Sequence, residues 1–187
     1  MKKNWKTICI FISILAIPPG CDYDRTPLSD IMPDNQQIVT TINPETARYD
    51  CDTLVITCID YRFAIANQDF INETLGLKDN YDHISIPGSI LDLVNSDTRD
   101  LLFSKFALTV RLHQIKQVVV IVHIDCGAYG GSSSFGSETA EKEILYANLK
   151  EAEKLLIEKY PTLEVTLFLE SLVKEGDQAR VHFEKVH

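Results

Sequence analysis

The chain has 187 residues, 45% of them hydrophobic and 24% charged, with a formal net charge of −9. That length accommodates one α/β domain with its own core, plus a leader and an arm. The acidic balance and the absence of a Lys/Arg stripe exclude a basic nucleic-acid-binding surface, and they say little about fold.

Residues 1–20 read as an export leader. Lys2, Lys3 and Lys6 form a positive start, and Ile8 to Ile17 form a short apolar run. Thr7 to Pro19 is too short for a transmembrane helix of about 20 residues but suits a signal peptide. Pro18-Pro-Gly20 then precedes Cys21, which resembles a bacterial lipobox with Gly20 in place and Pro18 where Leu is usual. Cys21 is therefore the expected lipid acceptor, and the mature chain an exported, periplasmic or membrane-anchored lipoprotein. Residues 21–50 are polar, with Pro27, Pro33 and Pro44 spaced through them, and hold no sustained period. They read as an arm or linker that either holds the domain off a membrane or packs in part across a partner subunit, with Ile38 to Ile42 the expected contact in the second case.

Residues 51–187 read as the folded domain. Leu54 to Cys58 is a continuous apolar run, as in a central parallel strand. Phe63 to Leu75 carries a helical stripe at Phe63, Ala66, Phe70, Ile71 and Leu75, closed by Gly76. His83 to Ile86 is a short strand stopped by Pro87-Gly88. Ser96 or Asp97 caps a helix to about His113, with Leu101, Leu102, Phe106, Leu108 and Leu112 expected on its buried face. Gln117 to His123 holds five β-branched residues in a row. A Gly/Ser loop from Gly127 to Gly136 follows. Ser137 caps a helix to about Tyr160 that turns Leu145, Leu149, Ala152 and Leu156 inward, and Pro161 ends it. Leu163 to Leu169 is a strand, and Ala179 to Val186 pairs with it as an antiparallel edge through Glu175-Gly176-Asp177. The expected fold is a three-layer α/β/α domain whose mostly parallel sheet has about four strands plus that edge strand.

Five cysteines are present: Cys9, Cys21, Cys51, Cys58 and Cys126. They are too few and too uneven for a disulfide scaffold. Cys51 and Cys58 stand roughly 23 Å apart on an extended segment, beyond disulfide reach. Cys58 and His123 both fall at carboxyl ends of strands, where ligands sit in open α/β sheets. His123-x-x-Cys126 presents two ligands from one turn, and Cys58 supplies a third from a neighbouring strand. Two thiolates and an imidazole suit zinc, with one position left for water or substrate. Zinc lowers the pKa of its water toward about 7, which provides hydroxide at neutral pH. Asp60, two residues past Cys58, can reach the fourth zinc position or accept a hydrogen bond from that hydroxide. Arg62 can hold Asp60 bidentately, keep it ionised and pull it from the metal. Asp125 reads as a loop-turning residue. Tyr129 and Phe135 read as packing residues, and Tyr61 and Phe63 as core or interface. Ile86, Ile90 and Val122 are candidates for an apolar pocket lining. His83, His113, His182 and His187 show no ligand spacing.

Cys58-x-Asp60-x-Arg62 followed by His123-x-x-Cys126-Gly127 resembles the β-class carbonic anhydrases over about residues 52 to 170. The resemblance implies a zinc-dependent enzyme that interconverts carbon dioxide and bicarbonate, working as a homodimer or a dimer-based oligomer. It implies Cys58, His123 and Cys126 as zinc ligands and Asp60 with Arg62 as the catalytic dyad. Val122 stands where the family commonly has Gly. Ser85-Ile86-Pro87-Gly88 stands where it has Arg-Asn-Ala-Gly, Gly88 alone matching, so the branch is a divergent one. Relatives on similar scaffolds hydrolyse small carbon-sulfur molecules, which is the alternative substrate class.

Two further readings compete. A cysteine-nucleophile hydrolase built on Cys126 would leave Cys58 unused and has Ile124 where a nucleophile elbow needs Gly. A non-catalytic zinc-binding module would need neither Asp60 nor Arg62. The Gly127-to-Gly136 loop lacks both Gly-x-Gly-x-x-Gly and a Walker lysine, so it is no phosphate cradle.

Overall fold

The structure is a computed structural model and describes residues 51–187. The expected leader over 1–20, the Cys21 acceptor and the arm over 21–50 lie outside the described residues. No helix among the described residues is long and apolar enough to cross a membrane.

Five strands form one sheet in the order β2-β1-β3-β4-β5. They are β1 (Thr53–Thr57), β2 (Tyr81–Ser85), β3 (Gln117–His123), β4 (Glu164–Glu175) and β5 (Gln178–Val186). The first four run parallel, and β5 returns antiparallel to β4. This is the expected sheet: four parallel strands and an antiparallel edge.

The alternation of side chains along the central strands divides the core into two layers. Leu54 and Ile56 of β1, Val118, Val120 and Val122 of β3, and Leu167 and Leu169 of β4 face one layer. Val55, Val119, Ile121 and Phe168 face the other. Helices α2 (Leu91–Val94), α3 (Arg99–His113) and α4 (Glu138–Lys159) cover the first face. Helix α1 (Ala64–Asp69) runs on through a π-helical turn, Phe70–Thr74, and brings Phe70 and Ile71 to the second. The long apolar runs in β1 and β3 follow directly from helices on both sides.

Helix α4 begins as expected. The Ser137 hydroxyl accepts from the Ala140 N–H at 3.1 Å, and Leu145, Leu149, Ala152 and Leu156 are buried. Other expectations need correction. Helix α3 starts at Arg99, and its N-cap, Thr98, makes no side-chain cap bond, so neither Ser96 nor Asp97 caps it. Instead the Arg99 guanidinium satisfies the Leu93 and Val94 carbonyls that end α2. The buried face of α3 is Leu102, Phe103 and Phe106, whereas Leu101, Leu108 and Leu112 face solvent, Leu101 at 63% exposure. Strand β2 begins two residues before His83 because it is a half-exposed edge strand that tolerates Tyr81 and Asp82. Ile90 and Val122 are sealed in the main core and Ile86 packs against it, so none of the three lines the cavities at the site described next.

Candidate metal centre and its acid-base pair

Strands β1 and β3 lie side by side and parallel, and β3 ends two residues beyond β1, so the residues at their carboxyl ends meet. Cys58 follows β1, His123 closes β3, and Cys126 follows a turn in which Asp125 takes a left-handed φ of 60°. One donor atom from each of Cys58, His123 and Cys126 falls within 4.8 Å of the others. All three residues are buried: Cys58 is 9% exposed, His123 1% and Cys126 2%.

The imidazole is oriented before any ligand arrives. Its Nδ1 lies 2.9 Å from the Ile124 carbonyl oxygen, which only an Nδ1–H can satisfy. That leaves Nε2 as a bare lone pair, and Nε2 is buried without a hydrogen-bond partner. Phe63 packs its ring 4.5 Å from the imidazole and fixes the ring plane. The two sulfurs are 3.9 Å apart. Two thiolates on one zinc ion at about 2.3 Å each would stand roughly 3.8 Å apart in tetrahedral geometry. The donor set, the orphaned Nε2 and the sulfur spacing therefore fit a zinc-type ion.

The sulfurs are not equivalent. The Cys126 thiol and the Gly88 N–H, 3.3 Å from Cys58 Sγ, hold Cys58 toward the thiolate against its burial. Cys126 is pushed up by the charge it faces and by burial. Burial lowers His123, but the Cys58 sulfur and the Ile124 carbonyl more than restore it. The Gly88 position has no room for a side chain. Its φ is +73°, and a Cβ there would stand 2.9 Å from the Leu91 Cβ and 3.0 Å from the Ala128 Cβ. Only glycine brings that N–H against the sulfur.

Asp60 and Arg62 form the pair expected of them. Arg62 Nε lies 3.1 Å from each Asp60 carboxylate oxygen, and Nη2 donates to Oδ2 at 2.7 Å. The Arg62 backbone N–H adds a bond to Oδ1 at 3.0 Å. This holds the Asp60 carboxyl below its ordinary value, and the two carboxylates around Arg62 raise the guanidinium in turn. Asp60 stands outside the ligand trio. Its Oδ2 is 3.9 Å from His123 Nε2, and its carboxylate is turned to Arg62.

Sequence reasoning missed what supports Arg62. Asp125 turns the loop, as expected, but it also grips the far end of the guanidinium. Nη1 donates to Asp125 Oδ2 and Nη2 to the Asp125 carbonyl, each at 2.8 Å. Asp125 is braced by the Ser132 N–H, and its own N–H donates to buried Glu141 at 2.7 Å. Glu141 also accepts from the Ser132 hydroxyl. A chain of polar contacts thus runs from the first turn of α4 to Asp60. On the other flank, Glu170 sits opposite His123 in the β3–β4 register. Burial pushes its carboxyl up to about 8, and Asn67 donates to it at 3.2 Å. A carboxylate directly after the apolar run Leu163 to Leu169 was the available signal for Glu170; Glu141 and Asn67 carried none.

Two cavities meet at this centre. One, of about 240 Å³, is bounded by Cys58, Ile59, Asp60, Pro87, Cys126, Gly127 and Ala128. The other, of about 260 Å³, lies toward β2 and includes Asp60, Asn67, Gln68 and His83. Tyr129 is half-buried and packs against the main core, as expected, whereas Tyr61 is 86% exposed and contributes nothing to the core.

The family model described as "Putative carbonic anhydrase" matches residues 49–175. An uncharacterised protein of Rickettsia conorii is 34% identical over 129 residues, covering 66% of this chain and 69% of the relative. One from Rickettsia bellii is 34% identical over 136 residues, covering 66% and 78%. Among solved structures, the chain is similar to the β-carbonic anhydrase CafA of the fungal pathogen Aspergillus fumigatus. The identity there is 16%, with 74% and 78% of the two chains covered and a TM-score of 0.49. It is also similar to tetrameric β-carbonic anhydrases of the ascomycete Sordaria macrospora, with 16% identity, 73% and 86% coverage and a TM-score of 0.46. On the family model and these relatives, the chain belongs to the family described as "Putative carbonic anhydrase".

Proposed function

We propose that the protein is a zinc-dependent carbonic anhydrase that catalyses the reversible hydration of carbon dioxide to bicarbonate. The observation that carries this reading is the pairing of a three-donor pocket, its buried Nε2 without a partner, with a carboxylate kept ionised beside it by Arg62. Cys58, His123 and Cys126 would hold the ion. When bound, zinc supplies the Lewis acidity that makes water a nucleophile at neutral pH. Asp60, ionised and acceptor-only, takes a hydrogen bond at Oδ2 and so fixes the orientation of a water that presents its lone pair to the substrate. Arg62 keeps that carboxylate off the ligand trio and prevents it from taking up the proton. Ile59, Pro87 and Ala128 give the 240 Å³ cleft apolar walls, which suit a small apolar substrate.

The test is stopped-flow hydration of carbon dioxide by the zinc-loaded full-length chain across pH. Rapid hydration, lost when the zinc is chelated, is the expected result. A chain that binds zinc at this trio but hydrates no faster than buffer at any pH contradicts it, and hydrolysis of carbonyl sulfide by that chain assigns the carbon-sulfur alternative.

Two attributes belong to the same reading. Residues 1–20 serve as the leader and Cys21 as the lipid acceptor of an exported protein, with 21–50 as its tether. Mass spectrometry of the mature N-terminus tests this, and an intact Met1 in the native host overturns it. The working form is a homodimer or dimer-based oligomer. Exposed Ile59, Tyr61 and Ile65, all on the segment that carries Asp60 and Arg62, support it. Light scattering of the purified chain decides between this and a monomer.

A further inference from the structure

A second group of metal-ligating side chains lies at the other end of β1. Cys51 precedes the strand by two residues, Asp82 sits in β2 beside Leu54, and His113 closes α3. One donor atom from each falls within 4.8 Å of the others. The backbone ties the three elements together, since the Cys51 N–H donates to the His113 carbonyl at 3.2 Å. The His113 Nδ1 stands 2.7 Å from Asp82 Oδ2. All three residues are half-buried, so an ion can enter while solvent provides any remaining ligand. At about 3.3 Å per residue, the seven residues from Cys51 to Cys58 put this group roughly 23 Å from the first.

We infer that Cys51, Asp82 and His113 form a second zinc site, distinct from the Cys58–His123–Cys126 centre. The donor chemistry is one thiolate, one imidazole and one carboxylate, which zinc accepts together with a water in tetrahedral geometry. Hard cations such as magnesium and calcium select oxygen ligands instead. Donors on zinc at about 2.0–2.3 Å stand roughly 3.3–3.8 Å from one another. The Asp82–His113 contact therefore opens by about half an ångström to admit the ion between them. The consequence is a clasp. The ion joins the segment that leads into β1 to β2 and to the end of α3. The inference does not rest on the catalytic reading, because no residue is shared between the two groups.

The test is metal stoichiometry on the full-length chain. Reduced, metal-free protein is titrated with zinc against a chromophoric chelator of micromolar affinity, so that weak surface binding is not counted. The parent is expected to take two zinc ions, Cys51→Ala one, and Cys126→Ser one. Cobalt(II) gives an independent reading: in Cys126→Ser the ion bound at the second site shows a thiolate charge-transfer band, which the additional Cys51→Ser change removes. A parent that takes one ion and keeps it in Cys51→Ala overturns the inference. So does a parent that takes two and keeps both in Cys51→Ala, or in His113→Ala. A parent that takes one ion, lost in Cys51→Ala and kept in Cys126→Ser, upholds the second site and removes the metal from the proposed catalytic one.

Discussion

The two ends of β1 hold similar donors under opposite conditions. At the carboxyl end, Cys58, His123 and Cys126 are buried, the imidazole is aimed by the Ile124 carbonyl, and one sulfur receives the Gly88 N–H. At the amino end, Cys51, Asp82 and His113 are half-exposed, and the histidine already has a carboxylate partner. Burial without a partner makes a lone pair costly, so the carboxyl end is built for a ligand that stays. The amino end already has the His113–Asp82 hydrogen bond and gains less from a metal. The two ends differ in preorganisation more than in donor identity.

The largest expected effect tests the buried end. Cys126→Ser removes a ligand that nothing nearby replaces, so it abolishes carbon dioxide hydration and takes one zinc equivalent from the chain. Metal analysis alongside the assay reads both. Next comes Arg62→Ala. It frees Asp60 from its clamp, so the carboxyl returns upward from its lowered value and the acid limb of the activity profile moves to higher pH. Hydration should slow by about 10–100-fold, the usual cost of losing a residue that orients the groups around a metal. A profile unmoved along the pH axis would break the link between Arg62 and Asp60.

Glu170 tests the buried end through stability. Burial holds its carboxyl at about 8 against an ordinary 4.5. Between those values the folded chain keeps a proton that the unfolded chain has released, so stability falls as pH rises through that window. Glu170→Gln should flatten that slope in the metal-free chain, gaining on the order of 3 kcal/mol at pH 8 relative to pH 5. Urea unfolding at the two pH values measures it. Gly88→Ala is smaller. It places a Cβ against Leu91 and Ala128 at positive φ, costs about 1–3 kcal/mol, and weakens zinc retention by displacing the N–H from Cys58. Smallest is Leu108→Glu on the outer face of α3, within about 0.5 kcal/mol by thermal unfolding. A loss of several kcal/mol there would mean that the face is covered.

Much of the carboxyl end was legible from the sequence because its signals are local and redundant. The β-branched runs of β1 and β3 announce strands buried on both faces, and His123-x-x-Cys126 and Cys58-x-Asp60-x-Arg62 mark their ends. Helix α4 was legible because Ser137 caps it and its apolar stripe is single. Helix α3 was misread because it carries apolar residues on two faces. Spacing alone does not choose between Leu102-Phe103-Phe106 and Leu101-Leu108-Leu112. The π-helical turn at Phe70–Thr74 follows no sequence period, and the four-residue α2 is held from outside by the Arg99 side chain. The supports of the site are single polar residues, Asn67, Glu141 and Glu170, whose partners only the fold supplies. The amino-end group was illegible for the same reason: Cys51, Asp82 and His113 share no motif, and the β1–β2 register and the end of α3 assemble them.

The most direct measurement is stopped-flow carbon dioxide hydration by the zinc-loaded parent chain and by Arg62→Ala, at equal zinc content and across pH. The account predicts rapid hydration by the parent and a slower variant whose acid limb lies at higher pH. A zinc-replete parent that hydrates no faster than buffer, or a variant identical to the parent in rate and pH profile, would contradict it.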